Sequence, residues 1–211
     1  MVAMSAWAVE ELFSVPNLDY LVYDSPMSAV IWEASPVLKG VIDRVEAMRV
    51  ESGLSAAGVA IDLGCGSGRD CVFLARRGWK STGYDYLEDS LERARKLAER
   101  YGTKIETVEA DLEAETFALN KTADLINVSR YLHRPLLPLI AQAVNSGGFI
   151  VYHQFMVGCT KPRRARFLLA ENELAQTFIA LGFDVIEDKV FNISDGRPCS
   201  WFVARKKSNN E

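Results

Sequence analysis

The chain has 211 residues, 49% of them hydrophobic and 25% charged, which suffices for one globular domain with a substantial core. Its formal net charge of −4 argues against nucleic acid or an anionic membrane surface as the main partner. No apolar run approaches the roughly 20 residues that a membrane-spanning helix needs.

Strands and helices alternate along the sequence. Helical spacing of apolar residues, or a terminal glycine, predicts five helices, at residues 35–51, 69–78, 87–102, 135–145 and 171–182. Apolar or alternating runs predict seven strands, at residues 58–64, 79–85, 104–111, 122–128, 149–155, 183–193 and 199–206, with a turn at residues 146–148 before the fifth. This order indicates an α/β fold with a mostly parallel sheet, helices on both faces and a closing antiparallel pair. Ligands of such folds bind outside the carboxyl ends of the strands.

The chain is predicted to form one globular unit in two parts, an N-terminal segment with its helix (residues 1–52) and a main domain (residues 53–211). Aromatic residues of the first part are candidates either for a lid over the ligand or for packing: Trp7, Tyr20, Tyr23 and Trp32.

The cysteines form neither a CxxC pair nor a cluster with metal-ligand spacing: Cys65, Cys71, Cys159 and Cys199. The N-terminus lacks the basic and continuously apolar regions of a secretory signal. These features predict a cytoplasmic protein with reduced thiols and no metal site.

A glycine-rich loop follows the first predicted strand in "AIDLGCGSGRD". Gly64, Gly66 and Gly68 let the backbone approach a ligand closely, and the next helix begins with unpaired N–H groups. A dinucleotide-binding loop has GxGxxG spacing, whereas here the glycines are two residues apart and Arg69 follows. Asp62, at the strand end, suits a ligand with a cationic amino group.

Two further acids occupy the ends of the next two predicted strands. Asp85 in "TGYDY" can accept hydrogen bonds from both hydroxyls of a ribose. Asp111 in "EADLE" can accept one from an exocyclic amine such as that of adenine. The alternative role for both acids is capping of the following helix, and the two roles can coexist.

The motifs "IDLGCGSG", "GYD" and "AD", in this order, resemble those of class I S-adenosylmethionine-dependent methyltransferases over residues 58–206. The segments "RYLHRPLLPLI" and "FMVGCTKPRRARFLLAENEL" are similar to the small tellurite-resistance-type and rhodanese-linked methyltransferases. The chain departs from that group with "HQF" at the end of the fifth strand. The resemblance implies a Rossmann-like fold, methyltransferase activity and S-adenosyl-L-methionine as cofactor.

The resemblance also implies roles for individual residues. Asp62 and the glycine loop would hold the methionine portion, Asp85 the ribose and Asp111 the adenine amino group, with Leu112 beside the ring. Asn127 or Ser129 would face the methyl group. The predicted cofactor-binding residues are therefore Asp62, Gly64, Cys65, Gly66, Gly68, Asp85, Tyr86, Asp111, Leu112 and Asn127.

The predicted catalytic residues lie in "NVSRYLHRPLLP", after the fourth strand. His133 is the candidate general base because an imidazole titrates near neutrality, and Arg130, Tyr131 and Arg134 are candidates for contact with cofactor or substrate. The alternative is structural, since Pro135 can open a helix and His133 can help to cap it. His153, near the end of the fifth strand, is a candidate either for the same cleft or for the core.

The predicted function is methyl transfer by in-line displacement to a small molecule or a protein side chain. Four cations in "KPRRAR", residues 161–166, suggest an anionic acceptor or a solvated charged surface. Two alternatives are a noncatalytic cofactor-binding protein that acts through a partner and an RNA methyltransferase. The acidic net charge and the absence of an Asn-Pro-Pro-Tyr-type motif disfavour RNA.

Overall fold

A computed structural model of the chain describes residues 33–208. Its strands are β1 Val59–Leu63, β2 Lys80–Asp85, β3 Glu106–Glu109, β4 Ala123–Ser129, β5 Val144–His153, β6 Phe183–Asn192 and β7 Pro198–Lys206. Its α-helices are α1 Pro36–Glu51, α2 Arg69–Arg76, α3 Glu88–Arg100, α4 Leu136–Ala143 and α5 Glu173–Ala180, and a short 3-10 helix covers Ala165–Phe167.

The strands form one seven-stranded sheet in the order β3-β2-β1-β4-β5-β7-β6. β1 to β5 run parallel, and β7 is antiparallel to both β5 and β6. The predicted α/β fold with its closing antiparallel pair is therefore confirmed. The strand order reverses between β1 and β4, where Asp62 pairs with Asn127, and such a switch point is the expected ligand site.

Both faces of the sheet are buried, as a parallel sheet requires. Successive side chains of β5 serve opposite faces, so Phe149 joins a cluster with Leu38 of α1, whereas Ile150 joins a cluster with Ile140 of α4 and Phe178 of α5. All five are at most 1% exposed. The apolar runs read from the sequence are thus explained by burial on both faces.

One predicted boundary is wrong. The segment Ser146-Gly147-Gly148, predicted as a turn before the fifth strand, lies inside β5, which begins directly after α4 at Val144. The pairing register with β4 shifts between Ala123 and Leu125, and Gly147 takes a positive φ of 72°. A glycine within a strand marks such an irregularity as readily as it marks a turn.

The start of α1 connects the N-terminal part to the site. Ser35 caps the helix, since its Oγ accepts a hydrogen bond from Leu38 N, and its own N–H donates to Asp70 Oδ1 of α2 at 2.6 Å. The aromatic residues of the predicted lid and the first 32 residues lie outside the described part of the chain. Within residues 33–208, no helix has the length and apolar character of a membrane span.

Candidate active site

A cavity of about 480 Å³ opens at the carboxyl ends of β1, β2 and β4. It is lined by Asp62, Gly64, Cys65, Gly66, Ser67, Arg69, Asp70, Asp85, Tyr86, Leu87, Ala110, Asp111, Leu112, Glu113, Ser129, Arg130 and Tyr131. The three acids predicted from successive strand ends therefore share one cavity with the glycine loop.

The glycine loop is shaped by backbone that favours glycine. Gly64 has φ of 70° and Gly66 has φ of 52°, both in the left-handed region. A Cβ on Gly64 would lie 2.9 Å from Cβ of Tyr131, so only glycine lets Tyr131 pack against the loop. The loop and the segment after β4 thus form two adjoining walls of the cavity.

Asp85 fixes the loop to the end of β2. Its Oδ2 accepts a hydrogen bond from Gly66 N at 2.9 Å, and its Oδ1 accepts one from Leu87 N, the residue that precedes α3, at 3.0 Å. A carboxylate has about four lone-pair positions, so each oxygen retains acceptor capacity toward the cavity. Bracing of the backbone and binding of a ligand are therefore compatible at Asp85.

Asp111 and its neighbours form the wall after β3. The Oδ1 atom of Asp111 accepts a hydrogen bond from Glu113 N at 2.9 Å, while Leu112 is 6% exposed and belongs to the main core. Asp111 and Glu113 are exposed on the cavity wall. This segment combines an apolar surface with two carboxylates.

Asp62 is held in a buried polar cluster. Asn127 Nδ2 donates to Asp62 Oδ1 at 2.7 Å and to Asp70 Oδ2 at 3.0 Å, and the Cys71 thiol donates to Asp62 Oδ2 at 3.5 Å. Burial and the neighbouring Asp70 carboxylate raise the pKa of Asp62 well above its usual range. Asn127 itself is 1% exposed and does not line the cavity.

The segment after β4 presents polar atoms without partners. The hydroxyl oxygens of Ser129, the last residue of β4, and of Tyr131 are buried and form no hydrogen bond within residues 33–208. Burial, together with the carboxylates of Glu113, Asp111 and Asp85, raises the pKa of Tyr131, so its hydroxyl remains a donor. Buried polar groups of this kind are costly unless a ligand or water satisfies them, which points to a binding surface.

Arg130 turns the chain at the end of β4. Its φ of 59° is unusual for a residue other than glycine, and its N–H donates to the carbonyl of His153 at 2.6 Å. Burial lowers the pKa of Arg130 to about 10, and its guanidinium lies 5.8 Å from the centre of the Phe155 ring. Arg130 therefore brings a partly desolvated cation to the cavity.

Three predicted site residues do not line the cavity. Gly68 supports the packing of α2 on α3, because a Cβ there would overlap with Ala94. Asn127 acts on the cavity through Asp62 and Asp70, as described above. His133 is half-buried, and its carbonyl accepts a hydrogen bond from Leu136 N at the start of α4.

The neighbouring arginine of the same segment has a structural role. Arg134 forms an ion pair with Glu173 of α5 and donates to the carbonyls of Arg166 and Leu168. It therefore fastens α4 to the segment before α5 rather than reaching the cavity.

His153, the second histidine, belongs to the interior. It is 1% exposed, it does not line the cavity, and its ring lies 5.5 Å from that of Phe191. Burial and the nearby Arg130 and Arg69 lower the pKa of His153 to about 3, so the imidazole is neutral at physiological pH.

Sequence reasoning missed several residues of the cavity wall: Ser67, Arg69, Asp70, Leu87, Ala110 and Glu113. Asp70 had a signal, since an acid in the first turn of a helix that follows a glycine loop lies near the ligand. Glu113 lies two residues after Asp111, and nothing in the sequence distinguishes it from a surface acid.

The charge of the cavity fits S-adenosylmethionine. Its wall carries five carboxyl groups and two guanidinium groups, on Asp62, Asp70, Asp85, Asp111 and Glu113 and on Arg69 and Arg130. The cofactor has two cations, an ammonium and a sulfonium, and one carboxylate, so a mainly acidic wall suits it. A glycine loop with acids at three successive strand ends, on this sheet, defines a class I methyltransferase domain.

Comparisons with known proteins lead to the same class. The family model described as "Methyltransferase domain" matches residues 60–148. TehB of Haemophilus influenzae, a probable S-adenosyl-L-methionine-dependent methyltransferase, is 29% identical over 127 residues, 56% of this chain and 44% of TehB. A ubiquinone biosynthesis O-methyltransferase of Vibrio cholerae is 32% identical over 97 residues, 44% of this chain and 40% of that protein.

Solved structures share the fold. The crystal structure of Haemophilus influenzae TehB matches with a TM-score of 0.62 and 24% identity over 78% of this chain and 62% of that one. Magnesium protoporphyrin IX methyltransferase (ChlM) of Synechocystis PCC 6803, with bound SAH, matches with a TM-score of 0.65 and 17% identity over 95% and 99% of the two chains.

Residues 60–148 therefore carry a methyltransferase domain, and the chain is related to TehB in sequence and in fold. It spans less than half the length of the curated relatives that it matches.

Proposed function

We propose that the protein transfers the methyl group of S-adenosylmethionine to a small molecule or a protein side chain. The observation that carries the proposal is the single cavity in which Asp62, Asp85 and Asp111 meet the glycine loop. The cofactor supplies an activated methyl group on a sulfonium, so the protein's task is to bind, align and exclude water.

Each cavity wall has a proposed part in holding the cofactor. Asp62 accepts hydrogen bonds from the ammonium group, Asp85 from the ribose hydroxyls, and Asp111 from the adenine amino group beside Leu112. The acidic surroundings of Tyr131 support a role for its hydroxyl in holding the cofactor as well. Arg130, which lies at the end of β4, is the proposed contact for the acceptor.

The acceptor is proposed to be an anion. Lys161, Arg163, Arg164 and Arg166 are exposed, and none of them forms an ion pair within residues 33–208. Such a group of unneutralised cations attracts negatively charged molecules to this side of the protein. All four cysteines are free thiols, which supports the proposed cytoplasmic location.

Transfer of labelled methyl groups tests the proposed function. The protein is incubated with S-adenosylmethionine carrying an isotopic label in its methyl group and with separate pools of small anionic metabolites, neutral metabolites, proteins and RNA. We expect label in the anionic small-molecule or protein pool, together with release of S-adenosylhomocysteine. Tight cofactor binding without transfer to any pool would favour a noncatalytic cofactor-binding protein. Label in RNA alone would favour an RNA methyltransferase.

Replacement of Tyr131 by Phe should weaken cofactor binding without weakening the fold. Loss of one hydrogen bond corresponds to about 1 kcal/mol, or roughly fivefold in affinity. Because the hydroxyl forms no hydrogen bond within residues 33–208, the free energy of unfolding should not fall. Calorimetry and thermal unfolding measure the two quantities, with Tyr101→Phe, on an exposed ring away from the cavity, as the control. If both variants bind the cofactor with equal affinity, Tyr131 is not a cofactor-binding residue.

His133 is the remaining candidate for a general base, because the imidazole of His153 is buried and holds a proton too weakly. If the acceptor loses a proton during transfer, His133→Ala should lower turnover by about 100-fold or more at unchanged cofactor affinity. Steady-state kinetics and calorimetry separate the two effects. A loss of stability with normal turnover per folded molecule would instead assign His133 to the start of α4.

A further inference from the structure

Two buried carboxyl groups at the cofactor cavity share one amide. Asn127 Nδ2 lies 2.7 Å from Asp62 Oδ1 and 3.0 Å from Asp70 Oδ2, and both aspartates are 2% exposed. Like charges held this close and away from water repel strongly, so such a pair ionises in two separate steps. A proton at this site relieves that repulsion.

The surroundings of the pair supply dipoles instead of a close cation. The backbone N–H of Ser35 donates to Asp70, and the thiol of Cys71 donates to Asp62. Arg69 of α2 acts on Asp62 through its field. Within residues 33–208 neither carboxyl group forms an ion pair.

Protonation is favoured at one of the two groups. Burial and Asp70 raise the pKa of Asp62 well above its usual range, and these effects outweigh the hydrogen bonds from Asn127 and Cys71 and the attraction of Arg69. The hydrogen bond with Cys65, together with burial, raises the pKa of Cys71 well above its usual value, so the thiol keeps the proton that it donates.

We propose that Asp62 and Asp70 together hold one proton in the cofactor-free protein and that the ammonium group of S-adenosylmethionine displaces it on binding. Both side chains line the cavity, and Asn127 Oδ1, buried and without a hydrogen-bond partner in the described part of the chain, is a further acceptor beside them. The incoming cation supplies the charge that the pair lacks, and the displaced proton passes to solvent. This inference rests on the proposed binding of the cofactor ammonium group at Asp62.

A defined pH dependence follows. Below the pH at which the free pair loses its proton, binding has to release that proton, so affinity rises with pH by up to roughly tenfold per unit. Above that pH the free pair is already ionised and affinity levels off. Asp70 is thus a second binding residue of the cofactor site, which sets the pH range in which the cofactor binds.

Calorimetry near pH 6, in buffers of different ionisation enthalpy, counts the protons released on cofactor binding. An α-amino group is already protonated at this pH, so the cofactor itself releases none. We expect the wild-type protein to release about one proton for each cofactor bound. Asp70→Asn removes the repulsion and should release fewer protons, whereas Asp89→Asn, on the exposed face of α3, should behave like wild type.

The possible outcomes are distinct. Wild-type binding without proton release between about pH 5.5 and 7 would overturn the shared proton and leave the proposed function intact. If the wild-type protein and Asp70→Asn release the same number of protons per cofactor bound, the proposed role of Asp70 is wrong. Absence of any cofactor binding would contradict the proposed function itself. The wild-type measurement decides the proposal even if Asp70→Asn fails to fold.

Discussion

Replacing Asp85 by Ala is expected to weaken the binding of S-adenosylmethionine by about 2–3 kcal/mol, or roughly 30- to 150-fold. Two losses add up in this variant. The carboxylate proposed to hold the ribose hydroxyls is removed, and Gly66 N and Leu87 N lose their acceptor, which loosens the glycine loop.

Two further variants separate these losses. Asp85→Asn keeps one acceptor oxygen of the same shape and should bind with intermediate affinity. Asp89→Ala removes an exposed carboxylate nearby and should bind like wild type. Calorimetric titration measures all four proteins. If Asp85→Ala and Asp89→Ala bind equally well, the assignment of Asp85 to the cofactor is wrong.

Gly68→Ala is expected to lower the free energy of unfolding by about 3 kcal/mol. Gly68 precedes α2 with φ of 73°, which costs any L-residue about 1 kcal/mol. The added Cβ would also overlap with Ala94 Cβ and lie 3.1 Å from its Cα, so α2 and α3 must separate. The remaining cost comes from this overpacking.

Gly102→Ala is the matched control. Gly102 follows α3 with φ of 63°, and a Cβ there has no atom within 4 Å, so this variant should lose only about 1 kcal/mol. Denaturant unfolding of the two variants gives the difference directly. Equal free energies of unfolding would show that α2 and α3 can accommodate the methyl group without cost.

The positions of the acids could be predicted because they depend on local sequence. A short apolar run that stops at a glycine or an acid marks the end of a buried strand, and β1 and β2 end at Leu63 and Asp85 as expected. Parallel strands bring their carboxyl ends to one edge, so Asp62, Asp85 and Asp111 had to lie close together.

The partners of Asp62 could not be predicted, because they depend on register and on packing between distant segments. Asn127 lies opposite Asp62 only in the observed pairing of β1 with β4, 65 residues apart in the chain. Asp70 reaches the same amide because α2 packs on that face of the sheet.

The roles of individual residues in the segment after β4 could not be predicted from the sequence either. Tyr131 lines the cavity, whereas Arg134, three residues later, pairs with Glu173, 39 residues away in the chain. The run of polar residues predicts a site near the junction of β4 and α4, but it does not tell which side chain enters the cavity.

The most direct test of the cofactor site is a calorimetric titration of the wild-type protein with S-adenosylmethionine and, in parallel, with NAD. The acids of the cavity and the two-residue glycine spacing predict that S-adenosylmethionine binds to one site per chain and that NAD does not bind. Binding of NAD in preference to S-adenosylmethionine, or no binding of S-adenosylmethionine at all, would contradict the assignment of this cavity.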